Sequence, residues 1–114
     1  MIAVIFEVEP AEGEYNAYLD YAAALKPVLE QMDGFISVER FQSLSHPQKL
    51  LSLSFWRDED AVKQWRNIEQ HRIAQGAGRD GIFAGYRLRV ASVVRDYGLT
   101  EREQAPVDSR AHHK

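Results

Sequence analysis

The sequence predicts an α+β domain of β-α-β-β-α-β order, the split βαβ (ferredoxin-like) arrangement that lays two helices on one face of a four-stranded antiparallel sheet. Two kinds of segment predict it. In four segments the apolar residues alternate at a period of two, and in two others they recur at three- and four-residue steps. Their interleaving sets the order. With 114 residues, 45% of them apolar and 27% charged, the chain has the length of one domain and the composition to bury one core.

The first strand covers residues 1–8, where Ile2, Val4, Phe6 and Val8 alternate with Ala3, Ile5 and Glu7, so both of its faces are at least partly covered. Pro10 and Gly13 end it. Residues 14–32 carry Tyr15, Tyr18, Leu19, Ala22, Leu25, Leu29 and Met32 at helical spacing, an amphipathic first helix in which Pro27 predicts a kink or restart near Lys26. Asp33-Gly34 stops that helix. A second strand follows, with Phe35, Ser37, Glu39 and Phe41 on one face and Ile36, Val38, Arg40 and Gln42 on the other. Ser45-His46-Pro47-Gln48 is a hairpin turn into a third strand, with Leu51, Leu53 and Phe55 opposite Ser52, Ser54 and Trp56. Asp58 caps a second helix, Glu59 and Asp60 favour its positive end, and Ala61, Trp65 and Ile68 form its apolar stripe out to about Gly76. The last strand alternates Tyr86, Leu88, Val90, Ser92 and Val94 with Arg87, Arg89, Ala91, Val93 and Arg95. Residues 1–98 make the domain, and 99–114 read as a polar tail that is mobile or ordered only by a partner.

Two helices leave one sheet face uncovered, and that face also carries apolar residues, so a second copy of the chain is the expected cover and a homodimer the expected assembly. There is no cysteine, which excludes disulfides, thiolate catalysis and the usual zinc and iron–sulfur ligand sets and makes the cytoplasm the expected compartment. The apolar start lacks a basic region and is cut off by Glu7 and Glu9, short of a signal peptide or membrane span. A net charge of −3 with both signs interspersed gives no basic field for nucleic acid. No membrane or nucleic-acid partner is expected. The Gly-x-Ser-x-Gly elbow and the phosphate-binding glycine fingerprints are absent, and the glycines at 76, 78, 81 and 85 follow a helix instead of opening one.

The richest stretch runs Phe55-Trp56-Arg57-Asp58-Glu59-Asp60-Ala61, then Trp65, then His71, and the last strand closes on Arg95-Asp96-Tyr97. Together with the passage from Leu29 through Asp33-Gly34 into Phe35, this pattern resembles the antibiotic biosynthesis monooxygenase family over roughly residues 1–97. The resemblance implies a homodimeric α/β barrel and three functions. The favoured one is cofactor-independent oxygenation of a small aromatic or quinol-like molecule. The alternatives are haem binding and degradation, and a non-catalytic dimer that binds a small ligand. The family's haem degraders place an Asn on the first strand and a His ten residues after the helix Trp, where this chain has Phe6 and Gln75. Its actinorhodin-type oxygenases place an Asn four residues before the Trp and a Tyr six after it, where this chain has Ala61 and His71.

The resemblance makes His71 the candidate catalytic base, since an imidazole titrates near neutrality and can take a proton from a phenol or hydroquinone. Helical geometry puts it about 120° from Trp65, at the edge of the apolar stripe, where a half-exposed histidine bonded to a neighbour is the plainer role. Trp65 is either core or the wall against which a planar substrate stacks. Tyr15, Tyr18 and Tyr21 are spaced by three along the first helix, where packing against the sheet is the plainer role, and Tyr15 and Tyr18 with Phe6 and Ile68 are the candidate substrate-binding residues. Arg87, Arg89 and Arg95 share a face of the last strand and suit ion pairs. His46 belongs to the turn and His112-His113 to the tail, and no metal site is expected.

Overall fold

A computed structural model describes residues 1–74 and 81–108, with side chains of the second helix described as far as Ile68. The alternating residues become strands β1 (Ile2–Pro10), β2 (Phe35–Gln42), β3 (Leu50–Trp56) and β4 (Phe83–Ser92), and the helical periods become α1 (Tyr15–Glu30) and α2 (Glu59–Ala74). The sheet runs β2-β3-β1-β4, antiparallel throughout. The predicted order and fold class are those observed.

Register decides which side chains meet. Across β1, Ile2, Val4, Phe6 and Val8 stand beside Trp56, Ser54, Ser52 and Leu50 of β3, and beside Ser92, Val90, Leu88 and Tyr86 of β4. All of these share the face that the helices cover. Two clusters form the core there. One joins Ile2, Leu29, Trp56, Ala61 and Val62, and the other joins Val8, Tyr18, Ala22, Leu50 and Ile82. Trp56 is fully buried, donates its indole Nε1–H to Ser54 Oγ at 2.9 Å and meets the Phe35 ring edge-on.

Phe35 departs from the simple alternation. A β-bulge between Phe35 and Ser37 puts Phe35 opposite Trp56 on the helix side, although it stands two positions before Ser37, which pairs with Phe55 on the other face. The bulge exchanges a solvent-side phenyl for a core contact. Pro27 does not restart α1. The helix runs through it to Glu30 and closes through short bonds, Gln31 N–H to Val28 O and Met32 N–H to Leu29 O. Only one turn follows the proline, so little helix lies beyond it to be redirected. Gly34 then takes φ +85° and hands its carbonyl to Arg57 N–H at 2.8 Å, tying the α1 exit to the end of β3. Strand β4 ends at Ser92, so Arg95 leaves the face it was expected to share with Arg87 and Arg89. Through Asp108 the polar tail is folded. Its turns are closed by Gly98 N–H to Glu101 O and Ala105 N–H to Arg102 O, the Arg102 guanidinium lies 5.1 Å from the Tyr97 ring centre, and Ala105 is buried.

The second sheet face carries Ile5, Leu51, Leu53 and Phe55, all half-buried, with Phe41 exposed beside them. At one end of it Glu7 pairs with Arg89 and, at 3.5 Å, with Lys49. Among the described residues no helix is long and apolar enough to cross a membrane.

Arg57 holds the β3–α2 junction. It reaches both oxygens of Asp33 at 3.2 and 3.0 Å, and its Nε meets Asp58 at 3.0 Å, while Asp58 Oδ1 accepts the Ala61 N–H at 2.9 Å as the expected helix cap. These contacts lower the Asp58 carboxyl through the Ala61 N–H first and Arg57 second, and lower Asp33 through Arg57. Glu7 is lowered chiefly by its bond from Arg89. A depressed carboxylate stabilises the fold above the ordinary carboxylate range and loses that stabilisation as pH falls through its lowered value. Thermal melting should therefore be flat near neutrality and fall between about pH 5 and 2. Arg57→Met should make the fall shallower. An identical acid limb in that variant would show that the junction contributes nothing to it.

Candidate ligand cleft

The two core clusters do not meet across the sheet. Between them a cleft of about 300 Å³ opens, roofed by α1 and α2 and floored by the sheet. Its cause is local. On the floor of β3, Ser52 and Ser54 stand where larger apolar residues would fill the space, and beside them lie Val4 and Phe6 of β1 and Val38 and Arg40 of β2.

From α1 the roof takes Tyr18, Tyr21, Ala22, Leu25 and Leu29, and from α2 it takes Val62, Trp65 and Arg66. Trp65 is half-buried and stacks on Trp56, with centroids 6.3 Å apart and planes 29° apart, so the fully buried indole holds the cleft-lining one in place. The other end is an aromatic corner. There Phe6 meets Phe83 at 6.2 Å and Tyr86 at 5.5 Å, and Tyr18 meets Phe83 edge-on at 5.9 Å. The mouth lies along β4, whose cleft-facing Tyr86 and Leu88 remain 66% and 48% exposed.

The structure therefore brings Phe6, Tyr18 and Trp65 to one cavity. Tyr15 packs against the Val8 cluster, and Ile68 is half-buried on α2; neither lines the cleft. His71 is on α2, six residues past Trp65, and its side chain lies outside the described residues. Gln75, Gly76, Gly78 and His112-His113 lie outside them too.

Arg40, Arg66, Ser52 and Ser54 are lining residues that the sequence reading did not place in the site. A signal existed for the serines: a Ser-x-Ser pair on the same strand face as a core Trp leaves a gap in the apolar layer. For Arg40 the signal was its parity with Val38, whose inward direction emerges only from pairing with β3.

A cleft of this kind can take a small, flat, largely apolar molecule, shield it from bulk water and stack it against aromatic faces. Phe6 occupies the floor at the position where the resemblance to haem degraders calls for Asn, so that polar partner for haem is missing from the described lining.

Comparison with known proteins bears on the same residues. The antibiotic biosynthesis monooxygenase family model matches residues 1–77. A jasmonate monooxygenase of Pyricularia oryzae is 44% identical over 111 residues, 96% of this chain but 52% of that protein, so the chain spans about half the length of this relative. Rv0793 of Mycobacterium tuberculosis superposes with a TM-score of 0.72 at 16% identity, over 85% of this chain and 98% of that one. The haem degrader MhuD of the same organism, solved with two haems in its active site, gives 0.68 at 18% identity over 86% of this chain and 100% of that one. At such identities the two structures speak for the fold alone, whereas the family model covers most of the domain together with the β3–α2 segment that carries Trp65. The chain belongs to the antibiotic biosynthesis monooxygenase family.

Proposed function

We propose that the protein is a cofactor-independent monooxygenase of a small aromatic or quinol-like molecule bound in the cleft between helices and sheet. The observation that carries the reading is the Trp65-walled, serine-floored cavity. The relative from Pyricularia oryzae, named for jasmonate, supports oxygenation of a small organic compound over haem degradation.

The substrate supplies the electrons. His71 takes the proton of a phenolic O–H, and the phenolate gives one electron to dioxygen. The radical pair then joins through a new C–O bond, and the proton returns to the peroxide oxygen. Loss of water breaks the O–O bond and the ring C–H bond and leaves a quinone. One oxygen atom enters the product, the other leaves as water, and no outside reductant is consumed. Trp65 and Phe6 orient the ring, and the apolar walls exclude solvent. A second copy of the chain covers the sheet face that bears Ile5, Leu51, Leu53 and Phe55, giving a cytoplasmic homodimer.

Oxygen uptake over a panel of phenols and hydroquinones tests the chemistry, and sedimentation of the same preparation reads the assembly, a monomer being the result against it. Ser52→Leu should block the cavity and abolish uptake while the fold melts normally. His71→Gln should slow turnover by about 10²–10⁴-fold. Uptake indifferent to Ser52→Leu would put the chemistry elsewhere. Stoichiometric haemin binding followed by degradation under reductant, with no turnover of phenols, would transfer the assignment to haem.

A further inference from the structure

Two arginines line this largely apolar cavity, Arg40 from β2 and Arg66 from α2, and among the described residues no Asp or Glu lines it. The chain as a whole is acidic, at −3. Two other arginines are matched to carboxylates of the chain itself, Arg57 to Asp33 and Asp58, and Arg89 to Glu7. Arg40 and Arg66 enter no ion pair among the described residues, and the buried Nε of Arg40 has no hydrogen-bond partner there.

A desolvated guanidinium N–H with no acceptor is costly, and Arg40 keeps one, with its charge unpaired among the described residues, at the wall of a ligand-sized cavity. The two terminal Nη groups of an arginine form a planar fork that fits the two oxygens of a carboxylate. Ser52, directly across from Arg40 in the β2–β3 register, adds a hydroxyl to the same floor. The remaining walls are aliphatic and aromatic. Among the described lining residues there is no third cation of the kind with which proteins usually hold a phosphate.

The sheet order separates the two ends. Arg40 is on β2 and Tyr86 on β4, three strand steps apart, or roughly 14 Å at ordinary strand spacing. A molecule held by its charge at Arg40 would point its ring toward Phe6, Phe83 and Tyr86.

We propose that the cleft selects small apolar carboxylic acids, with Arg40 gripping the carboxylate, Arg66 adding positive potential, and the ring directed to the aromatic corner. This rests on the cleft being the substrate site and narrows the class of substrate it takes. Arg40 is then a specificity-determining residue.

The test compares 1-naphthoate with 1-naphthamide, nearly the same in shape but different in charge, by calorimetric titration of the full chain at pH 7 and low salt. Naphthoate should bind at least about tenfold tighter, and added salt should erode the difference. In Arg40→Met the preference should fall below about threefold, Arg40→Lys should keep part of it, and Arg66→Gln should lose less than Arg40→Met. Melting curves of each variant confirm the fold. Equal binding of acid and amide, absence of naphthoate binding, or a preference that survives Arg40→Met would overturn the proposal. So would tighter binding of 1-naphthyl phosphate, which would make the site one for phosphate. Because the readout is binding, a failed search for oxygen uptake leaves this result standing, and a failure here leaves the oxygenase chemistry to its own test.

Discussion

Trp56→Ala is expected to destabilise the protein by about 3–5 kcal/mol, the usual range for removing a fully buried large aromatic side chain. Trp56 has no exposed surface and packs on Phe35 and Trp65 from the end of β3. Its loss leaves a hole that rigid strands and a capped helix cannot close, and it also strips the indole donor from Ser54. Against a typical total stability of about 5–15 kcal/mol, such a loss brings the fold close to its limit. Urea denaturation followed by circular dichroism would measure it. The same substitution should loosen Trp65, so ligand affinity in the cleft should fall even where the variant remains folded. A cost below about 1 kcal/mol would mean that the cluster repacks around the gap, against the close packing expected of cores.

Gly34→Ala should be of comparable severity for a different reason. Gly34 sits at φ +85°, where an L side chain costs about 1–2 kcal/mol, and an added Cβ would come within 2.7 Å of the Ala61 Cβ on α2. That carbon belongs to a short side chain fixed to a helix, so relief requires moving the helix, and overpacking of this kind adds about 1–3 kcal/mol. The double variant Gly34→Ala with Ala61→Gly separates the two causes. It should recover the steric part and leave the conformational part. No recovery at all would mean that the contact with Ala61 is not what limits residue 34.

Much of the fold is legible in the residues because it rests on local pattern. The Phe6–Val8 and Leu51–Phe55 alternations and the Tyr18–Ala22–Leu25–Leu29 spacing each state their period within a few residues. Asp58 declares a helix start through its own side chain, and the bond to Ala61 N–H is made as expected. The family could be recognised for the same reason, since its pattern runs through the contiguous β3–α2 stretch. Period combined with resemblance points to Phe6, Tyr18 and Trp65, which line the cleft. Tyr15 and Ile68 were not separable from them on that basis, because a helix face is wide and spacing alone does not say where a cavity stops.

By itself, then, the sequence determined the order of elements, the fold class, the helix cap and stop, and three of the cleft's walls. Only the tertiary structure decided the bulge that turns Phe35 inward, the departure of Arg95 from β4, the folded turns of the tail that bury Ala105, and the meeting of Arg40 with Ser52 on the cleft floor. The physical reason is one of range. Period and capping are set by neighbours along the chain, whereas register, bulges and cavities are set by partners brought from 12 or more residues away, and half-filled space between two clusters has no signature in either cluster's own residues.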